Sequence, residues 1–314
     1  MIDFRYHLVS LIAVFLAVAL GIIIGTTALN EPIQADIEGQ VTDLEQDKRD
    51  LEDRTQQLQT QVDTADSFAT AVGPALVDGA LAGSSVLLVV TNEDVAPETV
   101  EDVTTLIGEA GGTVTGTLQL QPEYSDPATA TSLQNYVTGA GTPAGIQLPE
   151  TDDAGQLVGS LLAQVLMIPP GGSTPSGAAS ATVLGGLEAL NVIAQETAVA
   201  PADHAVVLTA GAFSGDDAEE RNTTVAELVA ALDAAGSGAV VAGDFGAAAE
   251  NGLVGVIRGD PTLSASVSTV DNAATSAGQI STVLALAAEA DGVSGQYGTG
   301  EDAQPVPPVP GAAP

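Results

Sequence analysis

Between Leu8 and Asn30 the chain carries no charged residue, and Leu8 to Ile24 (LVSLIAVFLAVALGIII) is almost wholly apolar. With a weakly polar extension through Leu29, this run is long enough to cross a hydrocarbon layer of ~30 Å. The 285 residues that follow Leu29 must therefore be organised around a membrane or around a secretory step. Arg5 precedes the run, whereas Glu31, Asp36 and Glu38 follow it. That asymmetry places residues 1–7 in the cytoplasm, a transmembrane helix over 8–29, and everything after it outside. The competing reading is a cleaved signal peptide with Ala17-Val18-Ala19 as its small-residue site. Cleavage there would leave Leu20, Ile22, Ile23 and Ile24 on the mature end, so the uncleaved anchor is preferred. Ala13, Ala17, Gly21 and Gly25 recur every fourth position, and on one helix face they would let two such helices approach closely.

Asn30-Glu31-Pro32 reads as a helix restart: a capping side chain, an acid in the first turn, and a proline whose missing N–H costs nothing there. A heptad pattern then spans 30–73. Its d positions are Ile37, Leu44, Leu51, Leu58, Ala65 and Val72, all apolar. Its a positions are Gln34, Val41, Lys48, Thr55, Val62 and Ala69, of which three are apolar. This predicts a coiled coil roughly 60 Å long, joining two copies of the chain as a homodimer. Lys48 at an a position disfavours other registers, and its ammonium could reach Asp47 of a partner chain. The e and g positions Glu38, Glu45, Asp47, Glu52 and Asp66 are acidic, so they supply no attraction across the seam. An amphipathic helix folded back on its own domain is the alternative. Gly73-Pro74 is expected to end the helix.

From Ser84 short apolar runs alternate with helical stretches. Val86–Val90, Val114–Leu120, Val206–Thr209, Ala239–Ala242 and Val267–Val270 read as strands. Glu98–Glu109, Ala128–Val137, Gln156–Leu166, Ala181–Ala194, Ala218–Ala234 and Thr275–Ala288 read as helices. The alternation predicts an extracytoplasmic α/β domain over 84–298 with a largely parallel sheet. Pro169-Pro170-Gly171-Gly172 and Pro175 mark a loop. Residues 299–314 (TGEDAQPVPPVPGAAP, counted from Thr299) form a Pro-rich tail expected to be disordered.

Charge and residue types then narrow the chemistry. There are 41 acidic against 6 basic residues, for a net charge of −35. Only Arg221 and Arg258 lie beyond residue 54, which leaves too few cations to neutralise a nucleic-acid backbone or an anionic lipid surface. Cysteine is absent, and with it disulfides, thiolate metal sites and cysteine nucleophiles. The expected carboxyl ends of the strands are Thr91–Asp94, Gly211–Asp217 and Gly243–Phe245. None opens a helix with a glycine-rich phosphate cradle, and there is no nucleophile elbow. His7 and His204 fall on opposite sides of the membrane in this topology, and His204 before its strand reads as exposed or capping. Asp152-Asp153, Asp216-Asp217 and Glu219-Glu220 lack the ordered spacing of a calcium loop. No catalytic, cofactor or metal residues are assigned, and the chain reads as a non-enzyme. Arg221 is expected to pair with nearby acids, and Arg258-Gly259-Asp260-Pro261 to form a turn.

The opening MIDFRYHLVSLIAVFLAVALGIIIGTTAL resembles an actinobacterial envelope family, as do RGDP at Arg258–Pro261, STVDN at Ser268–Asn272, GQISTVLALA at Gly278–Ala287 and GQYG at Gly295–Gly298. Its members are named either as copper-transport outer-membrane proteins (MctB) or as the cell-separation protein SteB. The resemblance implies two functions. In one, a plasma-membrane dimer works with a SteA-like membrane protein to control a RipA-type peptidoglycan hydrolase. In the other, the protein is a copper transport or efflux channel of the envelope. Copper ligands are commonly Cys, Met and His, and the chain has no Cys, two Met and two His. A membrane barrel also needs repeated alternating strands. On those grounds the scaffold is the expected function and copper transport the alternative.

Overall fold

The computed structural model describes residues 4–139, 141–195 and 197–309, except for the side chains of residues 26–38. The chain divides into two compact units, Met1–Ala65 and Asp66–Pro314. Helix α1 runs without interruption over Phe4–Val77, so the expected restart at Asn30-Glu31-Pro32 is absent from the backbone path. Its Phe4–Gly25 portion is the one helix among the described residues long and apolar enough to span a membrane. Twenty-two residues rise about 33 Å, which matches a hydrocarbon core.

The last turns of α1 belong to the second unit and pack on its domain. Gly73-Pro74 does not end the helix. Pro74 forfeits one backbone bond, but Val77 is fully buried beyond it. A Cβ on Gly73 would fall 3.0 Å from Ile280 Cδ1, so glycine is what permits that contact.

The remaining strands are β1 (Ser85–Val90), β2 (Thr113–Leu120), β3 (Ile193–Gln195), β4 (His204–Thr209), β5 (Ala239–Gly243), β6 (Ser268–Val270) and β7 (Gln296–Tyr297). They form one sheet in the order β3-β2-β1-β4-β5-β6-β7. Every pairing is parallel except β2 with β3. The helices are α2 (Pro97–Glu109), α3 (Ala130–Thr138), α4 (Ala154–Leu166), α5 (Gly177–Ala189), α6 (Ala218–Ala235), α7 (Leu253–Gly259), α8 (Leu263–Ser266) and α9 (Ser276–Ala290). The fold is therefore the expected α/β arrangement. The central strands are buried on both faces, which is why SVLLVV and HAVVLT read as continuous apolar runs. Val86, Leu88, Val206 and Val240 face α2, α9 and the end of α1. Leu87, Val89, Val207 and Val241 face α4, α5 and α6.

Two strands and two helices had no expectation in the sequence. The helix expected over Ala181–Ala194 ends at Ala189; Asn191 takes a left-handed φ of 59°, and β3 follows. Asn is among the few side chains that accept that conformation at modest cost. Arg258 and Gly259 end α7, and Asp260-Pro261 form the expected turn that follows it. The Arg258 guanidinium is clamped by three partners: Thr269 Oγ1 at 2.9 Å, Asp271 Oδ2 at 2.7 Å and the Tyr297 carbonyl at 2.9 Å. Fully buried Asp271 also accepts from the amides of Thr299 (2.7 Å) and Gly300 (3.0 Å). Burial alone would push its carboxyl up, but those amides and Arg258 outweigh it and hold the group below the ordinary aspartate value. The tail expected to be disordered from residue 299 is consequently held as far as residue 309. Gln304 bridges to Tyr297, and Val309 packs against the α2/α9 core; 310–314 lie outside the described residues.

Candidate functional site

The strand order reverses between β1 and β4, and an open α/β sheet presents its ligand crevice outside the carboxyl ends of such a pair. A crevice of about 650 Å³ lies there. Thr91, Asn92 and Glu93 enter it from the end of β1, Gln119 from β2, Phe213 from the loop after β4, and Tyr124 from a short 3-10 turn over Pro122–Tyr124. The sequence reading had identified the β1 and β4 ends, but not Gln119 or Tyr124. Those two depend on β2 lying beside β1.

The β4 loop is fixed by polar bonds rather than by packing alone. Asp244 Oδ1 accepts from the Gly211 amide at 2.9 Å, and Gly211 has a φ of +65° that suits glycine. Asn251 donates to the Phe213 carbonyl at 2.8 Å, and Asn222 donates to the Asn251 carbonyl at 2.8 Å. Arg221 pairs with Asp217 (2.9 Å), as its neighbouring acids implied, and also with Asp126 at 3.6 Å. Its guanidinium carbon lies 5.9 Å from the Phe213 ring centre. The guanidinium is thus already committed to two carboxylates and a ring.

A second hollow of about 270 Å³ adjoins the first through Tyr124 and Ser125. Its carboxylates are Asp126, Asp152, Asp153, Glu220 and Glu227. Glu227 reaches it because α4 and α6 pack closely: a Cβ on Gly159 would sit 3.1 Å from Leu228 Cα. Burial pushes the Glu227 carboxyl up to about 7; the Gln156 hydrogen bond opposes this and the Asp153 carboxylate adds to it. Burial first, and Glu227 second, keep the Tyr124 phenol protonated.

The sign of the Glu227 effect follows from its raised value. Its stabilising contribution is present below the ordinary 4.5 and is lost as pH rises through about 7. Glu227→Gln is therefore expected to raise the thermal midpoint at pH ~8 more than at pH ~5. Thermal unfolding across that range checks it, and a variant profile parallel to the parent's would refute the assignment. Among the described residues, no three His, Cys, Asp or Glu side chains converge as a metal-binding group. His204 is buried in β4 rather than exposed or capping, and burial lowers its pKa despite the opposing Asp203 charge.

The heptad residues separate into two sets. Leu44, Leu51 and Leu58 are 67%, 62% and 62% exposed, and Val41, Lys48, Thr55, Val62 and Ala65 are exposed beside them. Ala69 instead packs against the α2/α9 core, and Asp66 accepts from the Ser276 amide at the start of α9 at 2.7 Å. That carboxylate also suits the positive end of α9. The folded-back alternative thus describes the helix from residue 66 onward. Lys48 pairs with Glu52 one turn along its own helix, at 3.4 Å, and Thr55 donates to the Leu51 carbonyl. The Ile37 side chain lies outside the described residues. Ala13, Ala17, Gly21 and Gly25 fall along one face of the membrane-length segment, and apart from the adjacent helix backbone a Cβ built on Gly21 or Gly25 would meet open space.

Comparison with known proteins extends over nearly the whole chain. A family described as "Copper transport outer membrane protein, MctB" matches residues 1–308. The protein named Copper transporter MctB of Mycobacterium tuberculosis (strain ATCC 25618 / H37Rv) is 35% identical over 312 residues, covering 98% of this chain and 99% of that relative. The protein of the same name from Mycobacterium leprae (strain TN) is 33% identical over 312 residues, covering 96% and 98%. These names reverse the order of the two expected functions: copper transport has their support, and cell separation does not.

Proposed function

This chain belongs to the MctB family, and from that premise we propose that it is a membrane-anchored, non-enzymatic component of copper transport in the cell envelope. The observation that carries the reading is the extent of the match, because residues 1–308 include the apolar helix, the heptad helix and the α/β domain together. A relation confined to the α/β domain would support only a shared fold.

Copper is the cargo in this reading. The chain would act through assembly rather than as a pore by itself. Its sheet is open, with β3 and β7 at the edges, and helices cover both faces. One spanning helix likewise encloses no channel. The short N-terminus faces the cytoplasm and the α/β domain lies outside, as the charges flanking the apolar run favour.

The test is genetic and quantitative. Deleting the gene from its source organism is expected to raise cell-associated copper severalfold and to lower the tolerated copper concentration. Restoring the full chain is expected to reverse both. Unchanged copper content and tolerance would remove the transport reading.

The exposed Val41–Val62 stripe favours a second reading, an envelope scaffold that pairs through this helix. In that reading a SteA-like membrane protein and a RipA-type hydrolase are the partners, and the deletion strain fails to separate its cells while its copper content stays normal.

A further inference from the structure

We infer that the crevice at the ends of β1, β2 and β4 docks a short extended segment of another protein, one that carries lysine or arginine beside an aliphatic residue. The assignment does not depend on the copper reading. It rests on groups that stand open to solvent on the crevice walls and on the charge around them. Pro97, Val100 and Phe213 give the crevice an apolar lining that stays partly or wholly exposed. Gln119, Gln121 and Gln195 line it as well and are half-buried. Gln119 and Gln195 make only long bonds within the chain, at 3.5 and 3.4 Å. Each of the three amides offers both a donor and an acceptor, which suits the N–H and C=O groups of an extended backbone. The volume of about 650 Å³ lies within the range of small binding sites.

Charge complementarity sets the sign of the occupant. Glu93 and Glu101 are exposed on the same lining, and neither pairs with a cation among the described residues. The cation of the crevice, Arg221, is held by Asp217 and Asp126 and brings no net positive charge. Arg258, the other basic residue beyond position 54, is clamped to Asp271. The domain therefore has no cation of its own to offer Glu93 and Glu101, and one must come from outside. An acidic or phosphorylated segment would meet like charge with the counter-ion already engaged. A bare metal ion is poorly served too, since no metal-binding group forms among the described residues. Lysine and arginine side chains lay an aliphatic stem on apolar surface while the charged head stays in water. Pro97, Val100 and Phe213 accept such stems, and the exposed carboxylates accept the heads.

The experiment uses the full chain in a non-ionic detergent, titrated into fluorescein-labelled hexapeptides randomised over Lys, Arg, Leu and Gly and read by anisotropy. A library randomised over Asp, Glu, Leu and Gly, and free spermidine as competitor, complete the set. The cationic library is expected to bind and the acidic one to stay silent. Glu93→Gln with Glu101→Gln is expected to weaken binding about fivefold, the worth of two partly exposed ion pairs. Both side chains are exposed, so the ligand-free thermal midpoint should hold. The matched control is Glu109→Gln with Asp291→Asn, the same charge change where α2 and α9 end, at the amino ends of the strands. That pair is expected to leave binding unchanged. Silence from the cationic library overturns the assignment. An equal loss in both double variants overturns it by reducing the effect to overall charge, and no loss in either places the binding elsewhere. Spermidine that displaces the peptides at matching affinity overturns it in favour of a free polyamine.

Discussion

Replacing Arg258 by methionine is expected to cost the α/β domain roughly 3–5 kcal/mol, the usual penalty for removing one partner of a buried ion pair. Asp271 is fully buried, and its second oxygen already accepts from Thr299. Loss of the guanidinium leaves a carboxylate that cannot be resolvated without opening the fold. Three junctions weaken together, because Arg258 ties α7 to β6, to Asp271 and to the β7 carbonyl. For a domain of this size the midpoint should fall by on the order of 10 °C. The double replacement Arg258→Met with Asp271→Asn should recover part of the loss, since no buried charge remains. The pH dependence has a defined sign. The Asp271 carboxyl is held low in the fold, so its stabilisation is present above the ordinary aspartate value and disappears as pH falls through the depressed one. Thermal unfolding of the full chain in detergent decides the matter; a midpoint within a degree or two of the parent would show the pair to be energetically idle.

Leu44→Asp combined with Leu51→Asp is expected to abolish self-association through α1 outright. Both positions are more than three-fifths exposed, so the single chain loses little by the change. In the proposed homodimer each would bury two carboxylates against their symmetry mates, a cost of several kcal/mol per layer. The acidic e and g flanks offer no compensating attraction. Mass by light scattering should fall from two copies to one, with helix content retained. An unchanged mass would remove the coiled coil as the interface and leave the Ala13, Ala17, Gly21 and Gly25 face as the remaining candidate. Either result also bears on the proposed assembly, which requires more than one copy or a second protein.

Much of the architecture was legible because it rests on period and composition. Short runs of four to seven residues between helical stretches identified β1, β2, β4, β5 and β6; for β1, β4 and β5 the runs are apolar throughout or nearly so, since a strand buried on both faces has few residue types open to it. An uncharged run from Leu8 to Asn30 allowed few environments other than a bilayer. At Gly73, His204 and Arg258 a local signal was outweighed by a contact from far along the chain. Asn30-Pro32 and Gly73-Pro74 carry the residue types of a cap and a stop, yet the helix passes both. At Gly73 the reason is visible, because the freed backbone is offset by the approach of Ile280, more than two hundred residues away. His204 reads as polar and becomes core because β1 and β5 flank its strand. Arg258, Thr269, Asp271 and Tyr297 lie in three strings that stood out separately, and nothing local says that they form one clamp.

Residue order alone therefore determined the membrane-length helix, the heptad stripe and the alternating α/β texture, because each depends on the spacing of apolar side chains within a single element. Only the tertiary structure decided which heptad residues face a domain and which face outward. It alone set Gln119 and Tyr124 beside Thr91, and it alone turned a Pro-rich end into a strap over β7. Those features depend on which strands are neighbours and on which polar atoms lose water, and both are properties of the assembled sheet.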